Sequence, residues 1–278
     1  MFVRNGTARL KRVLLSKPEY LKPAPINEIA KKWKSSVLDS EKMLREHEAL
    51  VNAYKQAGVE IEFLEADPKR PNSVFARDFG GCVKEGYILG RFKLPIRELE
   101  QIDYKNKMKM LEIPMIAQVK EGCFEGGDFA FLNEKTIAIG MADRSNERGV
   151  EEIQKQLLPY GYDVIPVPLK SEYLHLDMCF NLVDDHLAVA YKEGLPEYFQ
   201  KYLRKMDIKL VCVPEETIFY HSCNLQSLGC HRVLSLKHNE VVNEALSKEG
   251  MEVIPLDITE ILKAGGGPHC MTFPLWRE

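Results

Sequence analysis

Apolar, β-branched residues fall in short runs that recur along the chain. Runs beginning at Val59 (VEIEFLE), Ile113 (IPMIAQV), Tyr162 (YDVIPVPL), Ile208 (IKLVCVP) and Met251 (MEVIPLDI) read as strands, their starts 43 to 54 residues apart. Each follows a stretch with helical periodicity. Asp39 or Ser40 caps a first helix in which Met43, His47, Leu50 and Tyr54 share a face, and Gly58 closes it. Ile96, Leu99 and Ile102 stand at the helical spacing of one face in a second. Val150, Ile153 and Leu157 do so in a third. Pro196 suits the first turn of a fourth, before Phe199 and Leu203. Asn239 caps a fifth, with Val242, Ala245 and Leu246 inward and Gly250 at its end.

Ahead of the helices lie stretches that read as β-hairpins: GGCVKEGYILGRF, DFAFLNEKTIAIG, CFNLVDDHLAVAY and, more weakly, LGCHRVLSLK and ARLKRVLLSK. In the first three, apolar strands flank the polar turns Lys84-Glu85-Gly86, Asn133-Glu134-Lys135 and Asp184-Asp185-His186. The repeating unit is hairpin, helix, strand, and it occurs about five times. An ordinary alternating α/β sheet is the plain alternative. Five units in one order favour a cyclic arrangement instead, in which the turn opening each unit converges on an axis. No linker or low-complexity stretch divides the chain, so residues 1–278 are expected to form one domain.

Composition narrows the class. Of 278 residues, 45% are hydrophobic and 28% charged, enough for a sizeable core in a globular protein. With 38 Lys+Arg against 41 Asp+Glu, the net charge of −3 argues against an electrostatic grip on nucleic acid or membrane. No run of about 18 apolar residues predicts a transmembrane helix. The opening MFVRNGTARLKR lacks the apolar stretch of a signal peptide. Seven cysteines without a CxxC pair fit reduced thiols and a cytoplasmic location.

The unusual residues sit at the openings of the units. They are Asn72 through Asp78, then Glu125-Gly126-Gly127-Asp128, His175-Leu176-Asp177, Ser222-Cys223-Asn224, and Gly265 through Thr272. Cys270 stands apart from the other thiols. Three consecutive glycines before it allow close backbone approach to a ligand, and Pro268 stiffens the path to the sulfur. His221, Cys223, Cys230 and His231 invite a zinc reading. Their spacing is a poor match to structural zinc sites, and strand alternation points neighbours to opposite faces.

The order FARD, EGGD, HLD, GGGPHCMT resembles the guanidine-modifying enzymes: arginine deiminase, dimethylarginine dimethylaminohydrolase and the amidinotransferases. That resemblance implies a five-bladed α/β propeller with pseudo-fivefold symmetry, in agreement with the repeat count. It implies Cys270 as nucleophile, His175 as general acid/base and Glu125 as a carboxylate at the reacting group. Asp78 and Asp177 would hold guanidinium nitrogens, and no metal or organic cofactor is required. A guanidinium is a planar cation whose donors form a fork matched to carboxylates, and its charge lowers the pKa of a neighbouring thiol.

Departures from the family pattern refine the expectation. Asp177 stands where dimethylarginine hydrolases carry Lys, and Asp78 where cyanobacterial-type arginine dihydrolases carry Asn. Arginine deiminases share Asn72, Asp78 and Asp177, which makes them the nearest pattern, although they contain an inserted helical domain that this chain cannot hold. For an amino-acid substrate, Arg144 in MADRSN resembles the family's carboxylate-binding arginine. Arg97, 19 residues after Asp78, matches a second, with solvated surface as its plain alternative. The expected reaction is L-arginine to L-citrulline and ammonia by a hydrolase. Alternatives are an amidinotransferase, a dimethylarginine hydrolase, a papain-like protease and a non-catalytic ribosome-binding propeller. The expected partner is a small guanidino substrate, with no nucleic acid and no membrane, and a homodimer is the default for such an enzyme.

Overall fold

The computed structural model describes residues 2–278. Strand β1 (Leu10–Ser16) is followed by helices α1 (Glu28–Trp33) and α2 (Ser40–Gln56) and by strand β2 (Glu60–Leu64). The next unit holds β3 (Gly80–Val83), β4 (Gly86–Leu89), α3 (Glu100–Met110) and β5 (Met115–Gln118). The third holds β6 (Phe129–Phe131), β7 (Thr136–Met141), α4 (Glu147–Leu157) and β8 (Asp163–Pro168). The fourth holds β9 (Phe180–Asp184), β10 (Leu187–Ala190), α5 (Glu197–Lys205) and β11 (Lys209–Cys212). Finally come β12 (Gln226–Gly229), β13 (Arg232–Leu236), α6 (Glu240–Lys248), β14 (Glu252–Leu256) and β15 (Phe273–Arg277).

These strands make five three-stranded sheets built by one rule. In four of them a hairpin supplies the antiparallel pair, and in the fifth β15 pairs antiparallel with β1. The chain then crosses through a helix, and the third strand joins parallel to the hairpin's second, as β4 does with β5 and β13 with β14. First strands such as β3 and β12 are buried throughout, while third strands such as β11 expose their ends. Neighbouring sheets touch in cyclic order: β3 meets β15 and the turn before β6, β6 meets β9, β9 meets β12, and β12 meets β1. Apolar side chains fill the space between sheets and helices in three clusters. No helix among the described residues is long and apolar enough to cross a membrane.

Local chemistry explains the elements. Asp39 caps α2 by accepting the amide of Lys42, and Gly58 leaves it at φ +74°. In LGCHRVLSLK, Cys230 and His231 take φ of 54° and 58°, the two left-handed residues of a tight hairpin turn. Two expectations change. ARLKRVLLSK is not a hairpin but the single strand β1, and its antiparallel partner is β15 from the far end of the sequence. The fifth sheet, β15-β1-β2, thus joins both ends of the chain. In the second helix, Ile96, Leu99 and Ile102 are 45%, 49% and 57% exposed. The inward face is Glu100, Tyr104 and Met108, because Glu100 pairs with Arg97 and Tyr104 stacks on Phe79 while donating to the Ser73 carbonyl.

Candidate active site

Each sheet opens with a short turn just before its first strand, and those turns carry the polar residues. Asp78 precedes β3, Glu125 and Asp128 precede β6, His175 and Asp177 precede β9, Asn224 precedes β12, and Cys270 precedes β15. Asp78, Glu125, His175, Asp177 and Cys270 each expose 6% or less. The turns lie against one another, so residues far apart in sequence share one enclosed centre.

His175 is held from several sides. Its Nε2 lies 3.1 Å from Glu125 Oε2, and its Nδ1 lies 3.8 Å from Asp78 Oδ1. Asp128 accepts the Leu176 amide at 2.8 Å and the Ser145 hydroxyl at 2.6 Å, which fixes the backbone beside the imidazole. Gly127 passes so close that a Cβ there would stand 2.6 Å from His175 Nδ1. Burial pushes the imidazole pKa down. The charge of Asp78, the Glu125 hydrogen bond and Asp128 outweigh that effect and lift it to about 10. Burial would raise Glu125, but the imidazolium hydrogen bond and the Arg144 charge hold it low, at about 2. The pair therefore rests as imidazolium and carboxylate. Asp78, Glu125 and His175 offer three ligand atoms within 4.8 Å of one another, and a metal ion there would have to displace the proton between His175 and Glu125.

The thiol is set among acids and amides. Cys270 Sγ stands 3.5 Å from Asp177 Oδ2 and accepts from Asn224 Nδ2 at 2.9 Å. Asn224 also donates to Asp177 at 3.1 Å, and its oxygen accepts the backbone amides of His269 and Cys270. Gly267 lets the loop approach this amide, because a Cβ there would lie 2.8 Å from Asn224 Oδ1. Burial, then the charges of Asp177 and Asp78, push the thiol well above its ordinary pKa. Burial and the nearby Arg77 guanidinium hold His269 down at about 4, so its neutral ring donates from Nδ1 to Asp177 Oδ2 at 2.8 Å. Two carboxylate oxygens, Asp78 Oδ1 and Asp177 Oδ1, are buried without a hydrogen-bond partner, as is Asn72 Nδ2.

Both arginines are buried and have protein partners. Arg97 is neither solvated surface nor open to a substrate carboxylate. Its nitrogens donate to Glu100 at 2.8 to 3.1 Å, to Asp78, and to the Asn72 and Phe75 carbonyls at 3.2 Å. It anchors Asp78, with the ring of Phe92 4.5 Å from its carbon. Arg144 is buried, 3.4 Å from Glu125 and 2.8 Å from Asp143, and it donates to the carbonyl of Ile26. A ligand carboxylate reaches Arg144 only by displacing that carbonyl. His221 and Cys223 are buried, whereas Cys230 and His231 lie exposed on the β12–β13 turn, so the zinc reading has no assembled ligand set. Sequence reasoning gave little weight to Asn224 and none to His269, although both stand in the opening turns that marked the other residues.

The repeated sheets and their converging turns define a mixed α/β protein of the guanidine-modifying class. The model for N,N dimethylarginine dimethylhydrolase, eukaryotic, matches residues 17–277, and the chain belongs to that family. Uncharacterized protein YkgA of Bacillus subtilis is 30% identical over 276 residues, which cover 99% of this chain and 94% of that protein. Arginine deiminase of Listeria welshimeri is 25% identical over 253 residues, covering 75% of this chain but only 62% of the deiminase. Among solved structures, the product-bound N-terminal domain of ArgZ, an arginine dihydrolase from Cyanobacteria, superposes with a TM-score of 0.83. Its identity is 23%, over 95% of this chain and 96% of that one.

Proposed function

We propose that the chain is a single domain whose five units close around a common axis as a propeller, and that it hydrolyses a guanidino compound at Cys270. L-arginine to L-citrulline and ammonia is the reaction we infer. The cyclic order of sheet contacts supports closure. One observation carries the chemistry: two buried carboxylate oxygens without partners, Asp78 Oδ1 and Asp177 Oδ1, beside a thiol and an imidazolium. Leaving buried acceptors unmet costs about 1–3 kcal/mol each, so such a pair points to a cationic ligand that meets them.

The sequence of steps follows from the charges. Without substrate, burial and the two carboxylates keep Cys270 protonated. A guanidinium seated on Asp78 and Asp177 neutralises them and adds positive charge beside the sulfur, so the thiol releases its proton to solvent. The thiolate adds to the central carbon. His175, already an imidazolium, gives its proton to the departing nitrogen, the C–N bond breaks and ammonia leaves. An amidino-thioether remains on Cys270. The now neutral His175 takes a proton from water, the hydroxide adds to the same carbon, and the C–S bond breaks to release citrulline and thiolate. Glu125 holds the imidazole throughout.

The family match favours dimethylarginine as a second substrate. Asp177 favours the unsubstituted guanidinium, whose hydrogens can all be donated. Supplying arginine and dimethylarginine separately and assaying citrulline decides between them. Cys270→Ala should abolish release from either, and intact-protein mass spectrometry should detect the amidino adduct in the parent protein. Turnover by Cys270→Ala would end the proposal, and ornithine release that requires an added amine would replace it with amidino transfer.

A further inference from the structure

A second cavity lies beside the candidate active site and is lined by none of Asp78, Glu125, His175, Asp177 and Cys270. Its volume is about 830 Å³, within the range of small-molecule sites. Trp33 of α1, Val213, Phe219, Tyr220, Val242 of α6 and Leu262 give it apolar walls. Trp33, Tyr220 and the rim residue Val241 are 41%, 66% and 83% exposed, a concentration of apolar surface left to water.

Its polar groups are few and specific. His221 lines the cavity, is 1% exposed, and has no hydrogen-bond partner at either ring nitrogen. Its backbone is held at φ +62°, a costly conformation for a non-glycine residue. Burial keeps this imidazole neutral, with a pKa near about 4, so it presents one unmet donor and one unmet acceptor. At the rim, Lys32 lies 5.7 Å above the Phe219 ring, and Lys263, paired with Glu260 at 2.7 Å, lies 5.1 Å above that of Trp33. Glu240 is the one carboxylate among the lining residues.

We propose that this cavity binds an organic anion with an aromatic or branched apolar body, its charge at Lys32, its body on Trp33 and Phe219, and a polar atom on His221. Occupancy bears on the neighbouring site through the walls. Asn27 caps α1 through the Ala30 amide at 2.7 Å and donates to the Ala264 carbonyl at 3.2 Å, just ahead of the glycine triplet. The preceding Ile26 carbonyl covers Arg144. His221 leads directly into the turn whose Asn224 holds the Cys270 sulfur. A ligand bridging α1, His221 and Leu262 therefore ties together segments that lead to the Arg144 contact and to the Asn224 and glycine turns around Cys270. By linkage, it binds best while those segments keep this arrangement.

Anilinonaphthalene sulfonate is a suitable probe, applied to the full chain. One saturable site is expected by fluorescence. Its affinity should fall at least tenfold in Ala245→Trp, which fills the cavity, and severalfold in the surface variant Lys32→Glu, with the unfolding midpoint unchanged in the latter. Saturating probe should also slow alkylation of Cys270 by iodoacetamide at least threefold, and not in Ala245→Trp. Equal affinity in the parent and Lys32→Glu proteins would overturn the assignment, as would unaltered alkylation at saturation. Sedimentation showing a dimer that Lys32→Glu disperses would overturn it in favour of a second copy as occupant. The readouts are binding and thiol labelling, so they stand whether or not arginine is turned over.

Discussion

Cys270 is surrounded by groups that keep its thiol protonated: burial first, then the carboxylates of Asp177 and Asp78. Asp177 is the clearest case, because it stands 3.5 Å from the sulfur and its charge raises the thiol pKa while its free oxygen awaits a donor. Replacing it with Asn separates those two effects. Asp177→Asn should speed alkylation by neutral iodoacetamide at pH 8 severalfold or more, since loss of that charge raises the thiolate fraction. The same change should lower guanidine turnover by about 10²–10³-fold through loss of a charge-assisted hydrogen bond and of substrate orientation. Slower alkylation together with slower turnover would show that the carboxylate does not restrain the sulfur. His175 supports an opposite expectation for stability. Its pKa is raised from 6.5 to about 10, so the folded protein holds a proton that the unfolded chain loses between those values. That contribution is complete below pH 6.5 and fades as pH rises toward 10. The melting midpoint should fall from pH 7 to pH 9.5, and His175→Gln should flatten the fall.

At the level of elements, the short turns between a third strand and the next first strand decide what the fold can do. The Gly126–Asp128 turn runs beneath the imidazole with no room for a side chain at Gly127. Gly127→Ala should displace His175 and cost about 10²-fold in turnover while leaving circular dichroism unchanged, because the φ there is ordinary and only the ring and the Asp78 carboxylate must yield. Unaltered turnover would mean that the imidazole tolerates a shifted position. Helices and strands were readable in the sequence where one face is apolar, as in Val150, Ile153 and Leu157 of α4. The face of α3 was not, because its buried positions include Glu100, whose partner Arg97 is named only by the packed structure. Arg97 is a similar case: a charged residue in a polar stretch does not disclose its ion partners, here Glu100 and Asp78. Asp78, Glu125, His175, Asp177 and Cys270 were legible as motifs, while the contact of Asn224 with the sulfur depended on how two turns meet.

For the whole molecule, repetition made the architecture visible and the exception to it remained hidden. Four sheets draw all strands from one continuous stretch, but the fifth takes β15 from one end of the sequence and β1 and β2 from the other. No local pattern in ARLKRVLLSK reports that its antiparallel partner lies so far away. Arg277 secures the junction, donating to the Ala8 carbonyl at 2.7 Å and the Ser227 carbonyl at 2.6 Å while buried between two sheets. Arg277→Met leaves the Ala8 carbonyl without its partner and the Ser227 carbonyl with Gln226 alone, and should lower stability by about 2 kcal/mol in urea unfolding. An unchanged midpoint would show that water replaces the guanidinium there.

The strand that completes this shared sheet follows directly after the loop holding Cys270. During translation, β1 emerges early and waits for its neighbour until the Cys270 segment has cleared the exit tunnel. The growing polypeptide therefore cannot assemble the surroundings of Cys270 in advance, and the sulfur gains its setting in the same event that completes the shared sheet.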